Sequence, residues 1–94
     1  MNFNEKKEVY FPKLDMLLPI VERVHGASHE EIYEVSNLYK DIRGKLNLDI
    51  EDLDNEFDSL KKLTNNYEIP ENVCETYEGI YKMLEDLNKS YDNE

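Results

Sequence analysis

Two histidines, one cysteine and a dense run of carboxylates are the residues of this 94-residue sequence most able to do chemistry. His25 and His29 stand four apart around Gly26. Such a pair can bind a transition metal, but imidazole also suits a hydrogen-bonded turn. The reading adopted is structural or capping, with a two-histidine metal site as the alternative. Cys74 has no second cysteine to pair with, so no disulfide is expected. A thiol near a helix start can act as a nucleophile. Glu71 and Glu75 oppose that role, and the sequence places no histidine or resolving thiol close by, so Cys74 reads as a small buried residue.

The acidic run Asp49, Glu51, Asp52, Asp54, Glu56 and Asp58 invites a calcium reading. An EF-hand loop needs glycine at its sixth position, and counting from Asp52 that place holds Phe57. What remains is a solvated helix face or a specific cation or protein site, and the run is taken as the candidate interaction surface. Among the seven tyrosines, Tyr39, Tyr77, Tyr81 and Tyr91 fall on apolar stripes, where a large ring with a polar tip is a packing residue. There is no glycine-rich phosphate loop, no serine with histidine and acid in plausible roles, and no basic aromatic surface. No catalytic constellation is visible, so the chain reads as non-enzymatic.

The elements that must carry these residues are helices. From Pro12 onward Leu14, Leu17, Leu18, Val21 and Val24 recur at helical spacing and predict a first helix, with outer bounds of about 6–24; Pro12 suits a first-turn position, and Pro19 a kink or early end. Gly26 closes it. Ser28 and Glu31 make a capping-box pattern for a second helix over about 29–46, weakened near its end by Gly44. Its stripe is Ile32, Val35, Leu38, Tyr39, Ile42 and Leu46. Ile50, Leu53, Phe57, Leu60 and Leu63 keep the same rhythm through the acidic run and predict a third helix over 50–65, capped by Asp49. Its carboxylates lie toward the positive end of the helix dipole, and Lys61 and Lys62 toward the negative end. Val73, Tyr77, Ile80, Tyr81, Leu84, Leu87 and Tyr91 predict a fourth over 70–91. Short connections make successive helices neighbours, so the expected fold is all-α, a four-helix up-down antiparallel bundle forming one domain over 1–94.

Composition narrows the partners. At 39% apolar the chain buries one modest core, and its net charge of −11 repels nucleic-acid backbones and anionic membranes. The N-terminal residues lack a signal-peptide apolar run, and no segment approaches the roughly 18 apolar residues that cross a bilayer. The expectation is a cytoplasmic protein with no direct nucleic-acid or membrane partner.

Two stretches carry a family pattern. Pro12 to Leu46 holds Val24-His25-Gly26, His29, Glu31-Ile32, Glu34-Val35 and Leu38-Tyr39. Leu60 to Leu87 holds Thr64, Asn65, Tyr67, Pro70, Cys74, Thr76, Tyr77 and Tyr81. Both resemble the RIC-type proteins, hemerythrin-like di-iron proteins associated with repair of damaged iron–sulfur clusters. In that family histidines and glutamates from all four helices hold an iron pair at one end of the bundle, and the histidines matching His25 and His29 are not ligands. Ungapped counting puts Phe3 or Asn4 at the first histidine, Ile50 near that of the third helix, and Asp92 and Glu94 at the last two. The family's H-M-x-K-E-E-x-x-L-F-P motif has no counterpart after Leu46. The resemblance therefore implies a bundle shortened at its metal-bearing end, with no di-iron ligands and no cofactor.

The expected function is that of a non-enzymatic acidic bundle acting by protein–protein contact. Its partner is another protein, either a second copy or a full-length relative, that covers a core end left exposed near Phe3, Leu48, Ile50 and Tyr91. Two rivals stand beside it. One is a degenerate metalloprotein with ligands from Asp49, Asp52, Asp92 and Glu94, assembled between chains. The other is an acidic phosphate mimic that inhibits a nucleic-acid-binding protein.

Overall fold

Asn2 starts the first helix. Its side chain accepts the N–H of Glu5 at 2.8 Å, and the Glu5 carboxylate accepts the N–H of Asn2 at 3.2 Å, so two orphan donors are satisfied reciprocally. In the computed structural model, which describes residues 1–94, helix α1 runs Phe3–His25. Pro12 is therefore an interior residue, not a first-turn one, and the helix continues past Pro19 to His25. Both prolines are exposed, while Phe11, Leu14, Leu18 and Val21 are buried on the other side. Burial contributes roughly 1.5–3 kcal/mol for each such side chain and offsets the lost backbone bonds. Val24, expected on the core stripe, is 67% exposed.

Gly26 ends α1 in a right-handed conformation, its N–H bonded to the Glu22 carbonyl. A Cβ there would collide with that carbonyl and with the Tyr33 hydroxyl, so the position admits only glycine without rearrangement. The chain then makes a turn in which the N–H groups of Ser28 and His29 both bond His25 O. Ser28 is consumed by this turn and does not form the expected capping box. Helix α2, Glu31–Asn47, begins after Glu30 with no side-chain cap. It buries Ile32, Val35, Ser36, Tyr39 and Ile42, and it runs through Gly44.

Helix α3 spans only Asp54–Leu63, later than the expected start at Ile50. Asp49 is the reason. Its φ of 59° turns the chain in the left-handed region, leaving Leu48 and Ile50 exposed. Asp49 is thus not the cap: Leu53 holds the N-cap position without a side-chain bond, and Asp52, one residue earlier, accepts the Asp54 N–H at 3.1 Å. Helix α4 is Glu75–Asp92, preceded by Cys74 and not by a helical Pro70 segment.

The α3–α4 connection explains the Thr64-Asn65-Asn66-Tyr67 pattern. Asn65, Asn66 and Tyr67 all have φ between 51° and 62°. Thr64 holds them in place: its hydroxyl donates to Leu60 O at 2.7 Å and accepts the Tyr67 N–H at 2.8 Å. Tyr67 is thereby directed inward, where its hydroxyl accepts from the buried Asn88 amide at 2.7 Å.

The packing is that of an antiparallel four-helix bundle without strands: α1 lies on α4 and α2, and α2 on α3. At about 1.5 Å per residue the 23 residues of α1 match the 34 Å long axis of the molecule. Leu14, Ile32, Leu53, Leu60, Tyr77, Ile80, Tyr81 and Leu84 are fully buried along the centre. The tyrosines do pack with their polar tips satisfied. Tyr39 donates to Asp15 at 2.7 Å, Tyr81 to Glu31 at 2.9 Å and Tyr91 to Asp54 at 2.7 Å. Burial, reinforced by these carboxylates, keeps Tyr39 and Tyr81 protonated well beyond the ordinary tyrosine range. No helix is long and apolar enough to cross a membrane.

Candidate functional site

The start of α1, the end of α2, the start of α3 and the end of α4 meet at one end of the bundle. This is where the resemblance would put a metal centre. Three aromatic rings fill it. Phe3 meets Phe57 at 6.1 Å and Tyr91 at 5.6 Å, both edge-on, and Phe57 meets Tyr91 at 5.0 Å. Edge contacts of this kind add about 0.5–1.5 kcal/mol beyond area burial. The expected exposed core end is therefore corrected in part: Phe3 is 6% exposed and Tyr91 half-buried, while Leu48 and Ile50 do face solvent.

The carboxylates at the two positions where the resemblance would put the last ligands are already engaged. Glu94 accepts the Phe3 N–H at 2.9 Å, at the positive end of the α1 dipole, and Asp92 pairs with Lys61 at 3.1 Å. Tyr91 bridges α4 to α3, accepting the Leu53 N–H at 2.8 Å and donating to Asp54. Burial first, then Asp54, pushes the Tyr91 hydroxyl up to about 12. Beside the rings lies a cavity of about 560 Å³, walled by Phe3, Leu46 and Tyr91 and rimmed by Glu51, Asp54, Asp92 and Glu94, with Lys7 over the Phe3 ring at 5.3 Å. Nowhere in the chain do three histidine, cysteine or acidic side chains converge to hold an ion. The residues present do not fit a di-iron centre.

The acidic run does not form one surface. Asp49, Glu51 and Asp52 lie in the α2–α3 connection and are exposed. Asp52 and Asp54 are occupied as described, and Glu56 is half-buried against Lys45 at 3.0 Å. Asp58 is exposed on α3. Glu51 and Asp54 reach the cavity; the other four do not line it.

A different surface stands out on α1. Val9, Met16, Ile20 and Val24 are all exposed, and their spacing of seven, four and four aligns them on the side facing away from the core. Helix α1 carries four acidic and four basic residues in a chain of net charge −11, whereas α4 carries five acidic and two basic. The outer stripe was legible in the sequence as a second apolar periodicity, which the core stripe masked.

The opposite end of the bundle holds His25, His29, Cys74 and Tyr77. Both imidazoles rest on the Tyr77 ring, at 5.5 and 5.7 Å. Two expectations fail here. Cys74 is exposed, and His25 Nε2 lies 3.2 Å from its Sγ, because antiparallel packing brings the end of α1 to the start of α4.

No family model, curated protein or solved structure matches the chain. The likeness to the iron–sulfur-repair bundles accordingly rests on the residue pattern alone.

Proposed function

We propose that this chain is a non-enzymatic acidic bundle, related to the hemerythrin-like iron–sulfur-repair proteins but unable to hold their iron pair, that acts by binding protein through the outer face of α1. The observation that carries this reading is that α1 is apolar on two sides. A helix apolar all round is normally buried, and here the second apolar line faces solvent. The occupant that fits is a second copy of the chain. Helix α1 as a whole sums to zero charge whereas α4 carries an acidic excess, so pairing through α1 brings together less like charge than pairing through α4.

Sedimentation equilibrium in physiological salt tests it. The expected mass is twice the 11.2 kDa of the chain, falling to one chain for Met16→Glu combined with Ile20→Glu. A monomeric wild type at tens-of-micromolar concentration, or a dimer indifferent to those substitutions, overturns the reading.

A further inference from the structure

Cys74 and His25 are 49 residues apart in sequence and stand at the ends of different helices, yet their side chains meet at 3.2 Å. His25 is the last residue of α1, and Cys74 immediately precedes α4. The imidazole is held from behind. Its plane stands at 87° to the ring of Tyr77, which is fully buried, and the Tyr77 hydroxyl lies 3.4 Å from that of Tyr81, itself bonded to Glu31. The sulfur, by contrast, is open to solvent. An accessible nucleophile and a positioned base within hydrogen-bond reach are the two parts that thiol chemistry needs.

We propose that Cys74, with His25 as its base, is a site of reversible thiol–disulfide exchange with small disulfides. In the tautomer protonated at Nδ1, His25 Nε2 accepts the Sγ–H. As Sγ attacks one sulfur of R–S–S–R, the new Sγ–S bond forms and the old S–S bond breaks. The thiol proton passes to Nε2 and then to the departing thiolate, so one thiol and one disulfide give one mixed disulfide and one RSH. The sequence holds no second cysteine to resolve the adduct, which persists until a small external thiol reverses the same step. Glu71 and Glu75 flank Cys74 in the sequence and are exposed, so a cationic disulfide is preferred over an anionic one. This inference does not depend on dimerisation through α1.

The test follows adduct formation on the intact full chain by mass spectrometry, with cystamine as the probe. The wild type is expected to react about tenfold or more faster than His25→Gln, and by a similar factor faster than an unstructured peptide spanning residues 70–80. Cys74→Ser should gain no mass, and His29→Gln should match the wild type. Far-ultraviolet circular dichroism checks that His25→Gln is folded; should it not be, the peptide comparison alone decides. A folded His25→Gln that reacts as fast as the wild type overturns the proposal, as does a wild type no faster than the peptide.

Discussion

Phe3, the first residue of α1, and Tyr91, the last but one of α4, meet edge-on with ring centroids 5.6 Å apart. Phe3 or its neighbour Asn4 is also where the resemblance would put the first metal-binding histidine. An apolar ring in that place, packed on two others, makes the end of the bundle a site of cohesion. Metal ligands work in the opposite way, holding polar atoms toward a shared ion.

Removing that ring should be felt across three helices. Phe3→Ala is expected to destabilise the fold by about 3 kcal/mol, within the usual span for losing a buried phenylalanine. Urea denaturation followed by circular dichroism measures it. A loss below about 0.5 kcal/mol, the range of a surface substitution, would mean that Phe3 frays with the terminus.

The centre of the core gives a second check. Leu84 lies on α4 and is fully buried. Leu84→Ala should cost roughly 2–5 kcal/mol, depending on how far neighbours collapse into the space. An unchanged thermal midpoint would contradict the placement of the α4 stripe.

Alkaline pH should unfold the protein through its tyrosines. Tyr39, Tyr67 and Tyr81 are held protonated above the ordinary value of 10.0, in each case chiefly by burial. Their contribution is complete below pH 10.0, where the unfolded chain also keeps its protons, and is lost as pH rises through the folded values. Ultraviolet titration of tyrosinate should therefore show a late group of tyrosines ionising together with the loss of helix. Early, independent ionisation of all seven would contradict the buried placements. On the acid side the sign reverses. Lys6 first and then Tyr10 hold Asp86 below its ordinary 3.8, so its contribution is present above that pH and lost as pH falls further. Asp86→Asn should flatten that limb, by roughly 1 kcal/mol for a partly exposed pair.

The helices were legible because their apolar residues repeat at three and four, and Leu14, Ile32, Phe57, Leu60 and Leu84 are indeed interior. Boundaries were less so. Ile50 continues the rhythm of Leu53, Phe57 and Leu60, but a hydrophobic period carries no information about the left-handed turn at Asp49 that takes Ile50 out of the helix. Ser28 has the right neighbour for a capping box, yet the turn begun at Gly26 uses it first. The meeting of His25 and Cys74 is a tertiary contact. It follows only when the up-down order is used to set the end of α1 beside the start of α4, a step that local spacing does not supply. The acidic run was visible as charge, but the division of its members among Lys45, Tyr91 and solvent depends on where each helix starts.

Aromatic packing occupies the end of the bundle where the resemblance would put iron. Elemental analysis of the protein, purified without chelator from iron-supplemented cells, tests it most directly. Iron far below one atom per chain is expected. Near-stoichiometric iron, about two atoms per chain or per dimer as a di-iron centre demands, would contradict it.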